Sequence, residues 1–269
     1  MDVVYEDNHI IVVNKQSGEI VQGDKTGDRP LSEIVKDYIK ERYQKPGAVF
    51  LGVVHRLDRP VSGLVVFART SKALTRLNRM FAEGEVHKTY WAVVERPTFK
   101  NEERRMKNEE FLSVESVARN AATTVRSPNV QRSTFNVQRS TSNVDEWHLL
   151  EHWLVRNEQQ NKSYAYDHEV PRSKLARLRY RLLACGEHYN LVEVELMTGR
   201  HHQIRCQLAT LGTPIKGDLK YGARRSNPDG SISLCAHRIT FVHPVSKQTI
   251  AIESPLPDDP LWSKLSKSL

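Results

Sequence analysis

The sequence predicts an α+β protein, with a mixed, mainly antiparallel β-sheet and flanking helices. Short apolar runs of strand length recur along the chain, separated by turn residues. Other segments place apolar residues at i, i+3 and i+4, the period of amphipathic helices. Hydrophobic residues make up 39% of the 269, enough for a sizeable core.

Two strands open the chain. Val3-Val4-Tyr5 and Ile10-Ile11-Val12-Val13 are apolar runs parted by the turn-like Glu6-Asp7-Asn8. A helix is expected over residues 30–43, where Leu31, Ile34, Val35, Tyr38 and Ile39 share one face. Residues 50–70 suggest two buried strands interrupted by a polar loop from His55 to Gly63. Ser71 is expected to cap a helix carrying Leu74, Leu77, Met80 and Phe81 and ending at Gly84. Lys88 to Val94 is a further strand candidate.

Residues 99–146 differ in kind. NVQRST occurs at 129–134 and again at 136–141. The seven-residue repeat lacks the sustained apolar a and d positions of a coiled coil. A polar, flexible insertion is expected here, within one domain formed by 1–98 and 147–269.

From about residue 148 the pattern is globular again. The runs starting at Leu178 and Leu191 alternate as paired strands around a Gly186-Glu-His turn. A helix is expected from near His201 to Gly212, then strands around 234–242 and 248–252.

Forty Lys and Arg oppose 32 acidic residues, a net charge of +8 and a pI near 9.4. That balance suits a polyanionic partner, because each neutralised phosphate releases counterions. No run approaches the roughly 18 apolar residues of a membrane span. The Met-Asp start has no apolar h-region, so a cytoplasmic location is expected. The three cysteines, Cys185, Cys206 and Cys235, are expected as reduced, packed thiols.

Chemistry-bearing residues concentrate in two places. In His55-Arg56-Leu57-Asp58-Arg59-Pro60-Val61-Ser62-Gly63 a carboxylate sits between two guanidinium groups. A polar cluster between buried strands costs free energy unless it is paired or used. The plainer alternative is a surface loop with exposed ion pairs. In Gly199-Arg200-His201-His202-Gln203-Ile204-Arg205 two Arg, two His and a Gln open a helix. Free N–H groups at a helix start favour anions, although a helix can also be basic there by chance. A third pattern, His148-Leu-Leu-Glu151-His152, fits a zinc signature. It lacks an identifiable third ligand, so no metal is expected.

The set HRLDRPVSGL, KTYWAVV, GRHHQIR and TPIKGDLKYG, in that order, resembles the RluA family of pseudouridine synthases. The resemblance covers nearly the whole chain outside 99–146. It implies an isomerase that needs no cofactor and converts uridine to pseudouridine in a tRNA or rRNA stem-loop, acting as a monomer.

The resemblance also implies roles. Asp58 matches the family's essential aspartate, Tyr90 the tyrosine that packs on the target base, and Arg205 the basic partner of the aspartate. Arg56 matches the side chain that fills the gap left by the flipped uridine. His55, Arg200, His202, Gln203, Lys216 and Lys220, in the same motifs, are expected to contact RNA. Many members have Thr where this chain has Val61, which removes a hydroxyl beside the loop. About 54 residues precede HRLD and have the pattern of catalytic-domain structure. The S4-type RNA-binding module of some relatives is therefore not expected. Two other functions share these features: RNA binding without catalysis, and base excision.

Overall fold

The computed structural model describes residues 1–96 and 146–269. The expected insertion at 99–146 therefore lies almost wholly outside the described residues. Among these residues, eleven strands form one sheet.

The strands are β1 (Asp2–Glu6), β2 (Ile10–Lys15), β3 (Gly52–Val53), β4 (Ser62–Ala68), β5 (His87–Glu95), β6 (His148–Asn157), β7 (Lys162–Tyr166), β8 (Lys174–Cys185), β9 (Tyr189–Leu196), β10 (Leu234–Val242) and β11 (Thr249–Glu253). They lie in the order β1-β2-β4-β10-β5-β9-β8-β6-β7, with β3 on β4 and β11 on β10. Only the β4–β10 pairing is parallel among them. The helices are α1 (Leu31–Arg42), α2 (Ser71–Glu83), α3 (Gln203–Thr210) and α4 (Pro260–Ser266). The fold is α+β with a mixed, mainly antiparallel sheet, as the sequence predicts.

The unbroken apolar runs of β2 and β4 follow from helices covering both sheet faces. Successive strand side chains point to opposite faces. Ile11, Val13, Val65 and Phe67 pack with Leu31, Val35 and Ile39 of α1. Ile10, Val12, Leu64 and Val66 pack with Ala73, Leu77 and Met80 of α2. In the β1–β2 turn, the Asp7 carboxylate accepts the N–H groups of His9 and Ile10.

Local corrections concern element ends. The cap of α2 is Thr70, whose hydroxyl accepts the Ala73 N–H, while Ser71 is already helical. Gly84 closes α2 in the left-handed region, as expected. The first of the two strands expected in 50–70 is only two residues long. Helix α3 spans eight residues and is buried at Gln203 to Leu208. It therefore offers no solvent-facing anion site at its start. Among the described residues, no helix is long and apolar enough to cross a membrane.

Candidate active site

The loop between β3 and β4 is fastened on both sides of Asp58. Leu57 and Val61 are buried in the core that holds α1, so the carboxylate between them is turned to the cleft. Lys15, fully buried at the end of β2, donates to the carbonyls of Gln16, Arg59 and Val61 at 3.0, 3.0 and 2.6 Å. Burial is the main cause that lowers its pKa to about 8. The Arg59 carbonyl also accepts the Gly18 N–H, and the Pro60 carbonyl accepts that of Ile232. Gly63, at φ +112°, leaves the loop where a Cβ would lie 2.4 Å from the Ala236 carbonyl oxygen. Only glycine fits there.

Arg205 reaches Asp58 from α3. Its Nη1 donates to Asp58 Oδ2 at 3.1 Å. Its Nε and Nη2 donate to the two oxygens of Asp218 at 2.7 and 2.8 Å. Burial opposes the charged guanidinium, yet the bonds and charges of Asp218 and Asp58 prevail and raise its pKa. Asp218 is 1% exposed and follows Gly217, at φ +90°, where a Cβ would lie 2.6 Å from the Ser231 carbonyl. His202 Nε2 also lies 3.5 Å from Asp58 Oδ2. Among the described residues, no hydrogen bond is made to Asp58 Oδ1.

Tyr90, on β5, lines the same cleft of about 1010 Å³ as Asp58 and Arg205. Burial, then the Asp58 charge, raises the pKa of its hydroxyl, so the group remains a phenol at neutral pH. Arg56 is exposed at the rim. Lys88, Arg156, Arg179 and Arg200 complete a cationic lining.

The structure gives some expected RNA contacts other work. His55 accepts the Val66 N–H on Nε2 at 3.0 Å and stacks on Phe81. Burial, then the Lys88 charge, lowers its pKa to about 3, so it is no cation for a phosphate. Gln203, 3% exposed, holds the turn before α3, accepting from Thr198 Oγ1 and the Arg200 N–H and donating to the Arg177 carbonyl. His202 is buried, and burial, then the Arg205 charge, lowers its pKa to about 2. Lys216 binds Asn227 and Lys220 binds the Asn161 carbonyl; neither lines the cleft. Arg56, Arg200, His55, His202 and Gln203 do line it.

Several residues escaped the sequence reading. Lys15 looks like any strand-end lysine. Asp218 and Tyr221 stand in the quoted GDLKYG motif, where nothing local signals contact with α3. Arg156 and Arg179 sit on strands beyond the insertion, with no motif around them. The zinc-like pattern lies on β6, where alternation turns Glu151 away from His148 and His152. Glu151 pairs with Arg177 instead.

A carboxylate tied to a guanidinium in a largely cationic cleft, on this α+β sheet, is a site suited to a polyanionic ligand. Residues 9–210 match the family model described as RNA pseudouridylate synthase. The chain belongs to that family. It is 27% identical over 263 residues to an uncharacterized RNA pseudouridine synthase of Bacillus subtilis, covering 96% of this chain and 70% of the relative. It is 28% identical over 260 residues to ribosomal large subunit pseudouridine synthase C of Vibrio cholerae, covering 94% and 65%. The chain thus spans about two thirds of the length of these relatives. Among solved structures, human RNA pseudouridylate synthase domain containing 4 shares the fold, with TM-score 0.65 and 17% identity over 96% of this chain and 89% of that one.

Proposed function

We propose that this chain isomerises uridine to pseudouridine in a structured rRNA or tRNA, with Asp58 as the carboxylate that acts on the ribose. The observation that carries this reading is the one-sided anchoring of Asp58. Its Oδ2 is held by Arg205, while Oδ1 is left for substrate beside Tyr90 in the cleft.

In the reaction the N1–C1′ bond breaks and C5–C1′ forms, with no net change of electrons. The target atoms are inaccessible in a stacked helix, so the nucleotide is flipped out at a cost of a few kcal/mol. Arg56, exposed at the rim, offsets part of that cost by filling the vacated space. Asp58 Oδ1 then either attacks C1′ or takes the 2′ proton; both routes need an ionised carboxylate at the sugar. Tyr90 stacks on the uracil, a contact worth roughly 1–3 kcal/mol. C5 loses its proton and N1 gains one as the bonds exchange. The Tyr90 hydroxyl, held protonated, helps remove the C5 proton as a relay that passes its own proton on while accepting, and not as a resting base.

Lys88, Arg156 and Arg200 neutralise flanking phosphates, with exposed Lys220 extending the positive surface. Arg179 is paired with Glu195 in the cleft wall. Likeness to an enzyme named for the large ribosomal subunit favours rRNA. The net charge of +8 supports a nucleic-acid partner, and the three free cysteines suit a reducing compartment such as the cytosol.

The test is incubation with unmodified, uridine-containing RNA, followed by carbodiimide labelling specific for pseudouridine. Labelled product is expected. Released uracil would mean excision, and an unchanged strand would mean binding alone.

A further inference from the structure

We propose that His202 is a positioning residue for Asp58: neutral and protonated on Nε2, it is locked in that tautomer by Tyr221 and supplies a second donor to Asp58 Oδ2. This deepens the proposed synthase function and rests on it.

Proton counting around Tyr221 carries the inference. The Tyr221 hydroxyl oxygen accepts the Ser163 N–H at 2.8 Å. His202 Nδ1 lies 3.0 Å from the same oxygen. A phenol has one proton to give. If Nδ1 carried the imidazole proton, two donors would aim at one oxygen, and the phenolic proton would have no acceptor among the described residues. Buried polar groups are rarely left so. Tyr221 therefore donates to Nδ1, and the imidazole proton resides on Nε2. That atom is the one 3.5 Å from Asp58 Oδ2, longer than a made hydrogen bond, so the contact must tighten when substrate is bound.

The surroundings exclude an imidazolium. His202 faces Arg205 of its own helix, stacks on His201 at 3.8 Å, and feels the charges of Arg156 and Lys220. Asp58 is the one carboxylate described beside its Nε2. The Tyr221 ring is itself flanked by the Arg205 guanidinium at 5.2 Å and the Lys162 ammonium at 5.3 Å.

The backbone supports the same assignment. His202 holds φ +51° at the N-cap of α3 with no side-chain cap bond. Such a conformation is uncommon for any residue but Gly, although His is among those enriched there, and it persists where the surroundings hold it. Arg205 holds Oδ2 by a hydrogen bond, and the His202 Nε2 proton, 3.5 Å away, adds a second donor on the same side, leaving Oδ1 to react.

The experiment combines nitrogen NMR of 15N-histidine protein with turnover of variants. The His202 resonances are assigned by their loss in His202→Gln. At pH 7 a one-bond N–H coupling is expected on Nε2 and none on Nδ1. A proton on Nδ1, or on both nitrogens, overturns the proposal without reference to activity. For turnover, His202→Met should lower kcat about tenfold or more, as loss of a bond to a charged group does, with RNA Kd within about twofold. His202→Gln, whose amide can reach the Nε2 position, should recover most of that loss. Equal rates for Met, Gln and the parent chain would leave only a packing role. A parent chain that makes no pseudouridine would defeat the synthase reading instead, whatever the tautomer.

Discussion

Asp218 meets Arg205 with both oxygens, at 2.7 and 2.8 Å, and so fixes where the remaining Nη1 points. The third nitrogen then falls on Asp58 Oδ2. Asp58 and Arg205 are thus two members of a triad whose third, Asp218, is 1% exposed.

Breaking that triad should harm stability and turnover together. Removing one partner of a buried pair costs roughly 3–5 kcal/mol. Arg205→Ala and Asp218→Asn are each expected to lose about that much in chemical denaturation, and at least about tenfold in single-turnover rate. Arg205→Lys keeps the charge but not the fork that serves two carboxylates. It should restore stability in part and rate little. Near-parental turnover in Arg205→Ala would remove this residue from the mechanism.

Tyr90→Phe tests whether the phenol does more than stack. RNA affinity should stay within about twofold, because the ring face that holds the base is unchanged. Product formation should slow, measured in single turnover at saturating enzyme. Equal rates would leave stacking as the sole contribution of the residue.

Lys15→Met should unfasten the loop. It removes the ammonium from three carbonyl groups around the Asp58 segment. An unsatisfied buried acceptor costs about 1–3 kcal/mol. A loss of about 3 kcal/mol is expected, with kcat falling more than RNA affinity. An unchanged melting temperature and kcat would show that the backbone turn holds itself.

Acid should destabilise the fold through its buried histidines. His55 and His202 are held to about 3 and about 2, mainly by burial, against roughly 6.5 unfolded. Below pH 6.5 the unfolded chain takes up protons that the folded chain refuses. Stability is therefore full above about 6.5 and falls as pH drops toward the folded values. The slope is about 1.4 kcal/mol per pH unit for each such group. Denaturant titrations from pH 7.5 to 5.0 check this. His55→Gln, which can still accept the Val66 N–H, should flatten the slope; an identical slope would contradict it.

Much of this was legible in the sequence, for physical reasons. Strands β2 and β4 announce themselves because both faces are covered, which makes Ile10 to Val13 and Leu64 to Ala68 unbroken apolar runs. The α2 boundary at Gly84 is visible because a left-handed residue closing a helix is usually Gly. Asp58, Tyr90 and Arg205 were nameable through a four-motif resemblance, and the cleft brings them together. The partners of these residues were not. Asp218 and Tyr221 act across 13 and 19 residues of chain on Arg205 and His202, contacts that no local period encodes. Polarity alone did not separate roles: His55, His202 and Gln203 line the cleft, yet they also hydrogen-bond within the protein.

The most direct test of the account is pseudouridine formation by Asp58→Asn on a uridine-containing RNA that the parent chain modifies. The substitution keeps the size of the side chain and removes its charge. The account predicts that the variant binds the RNA and forms no pseudouridine. Accumulation at the parental rate would contradict it.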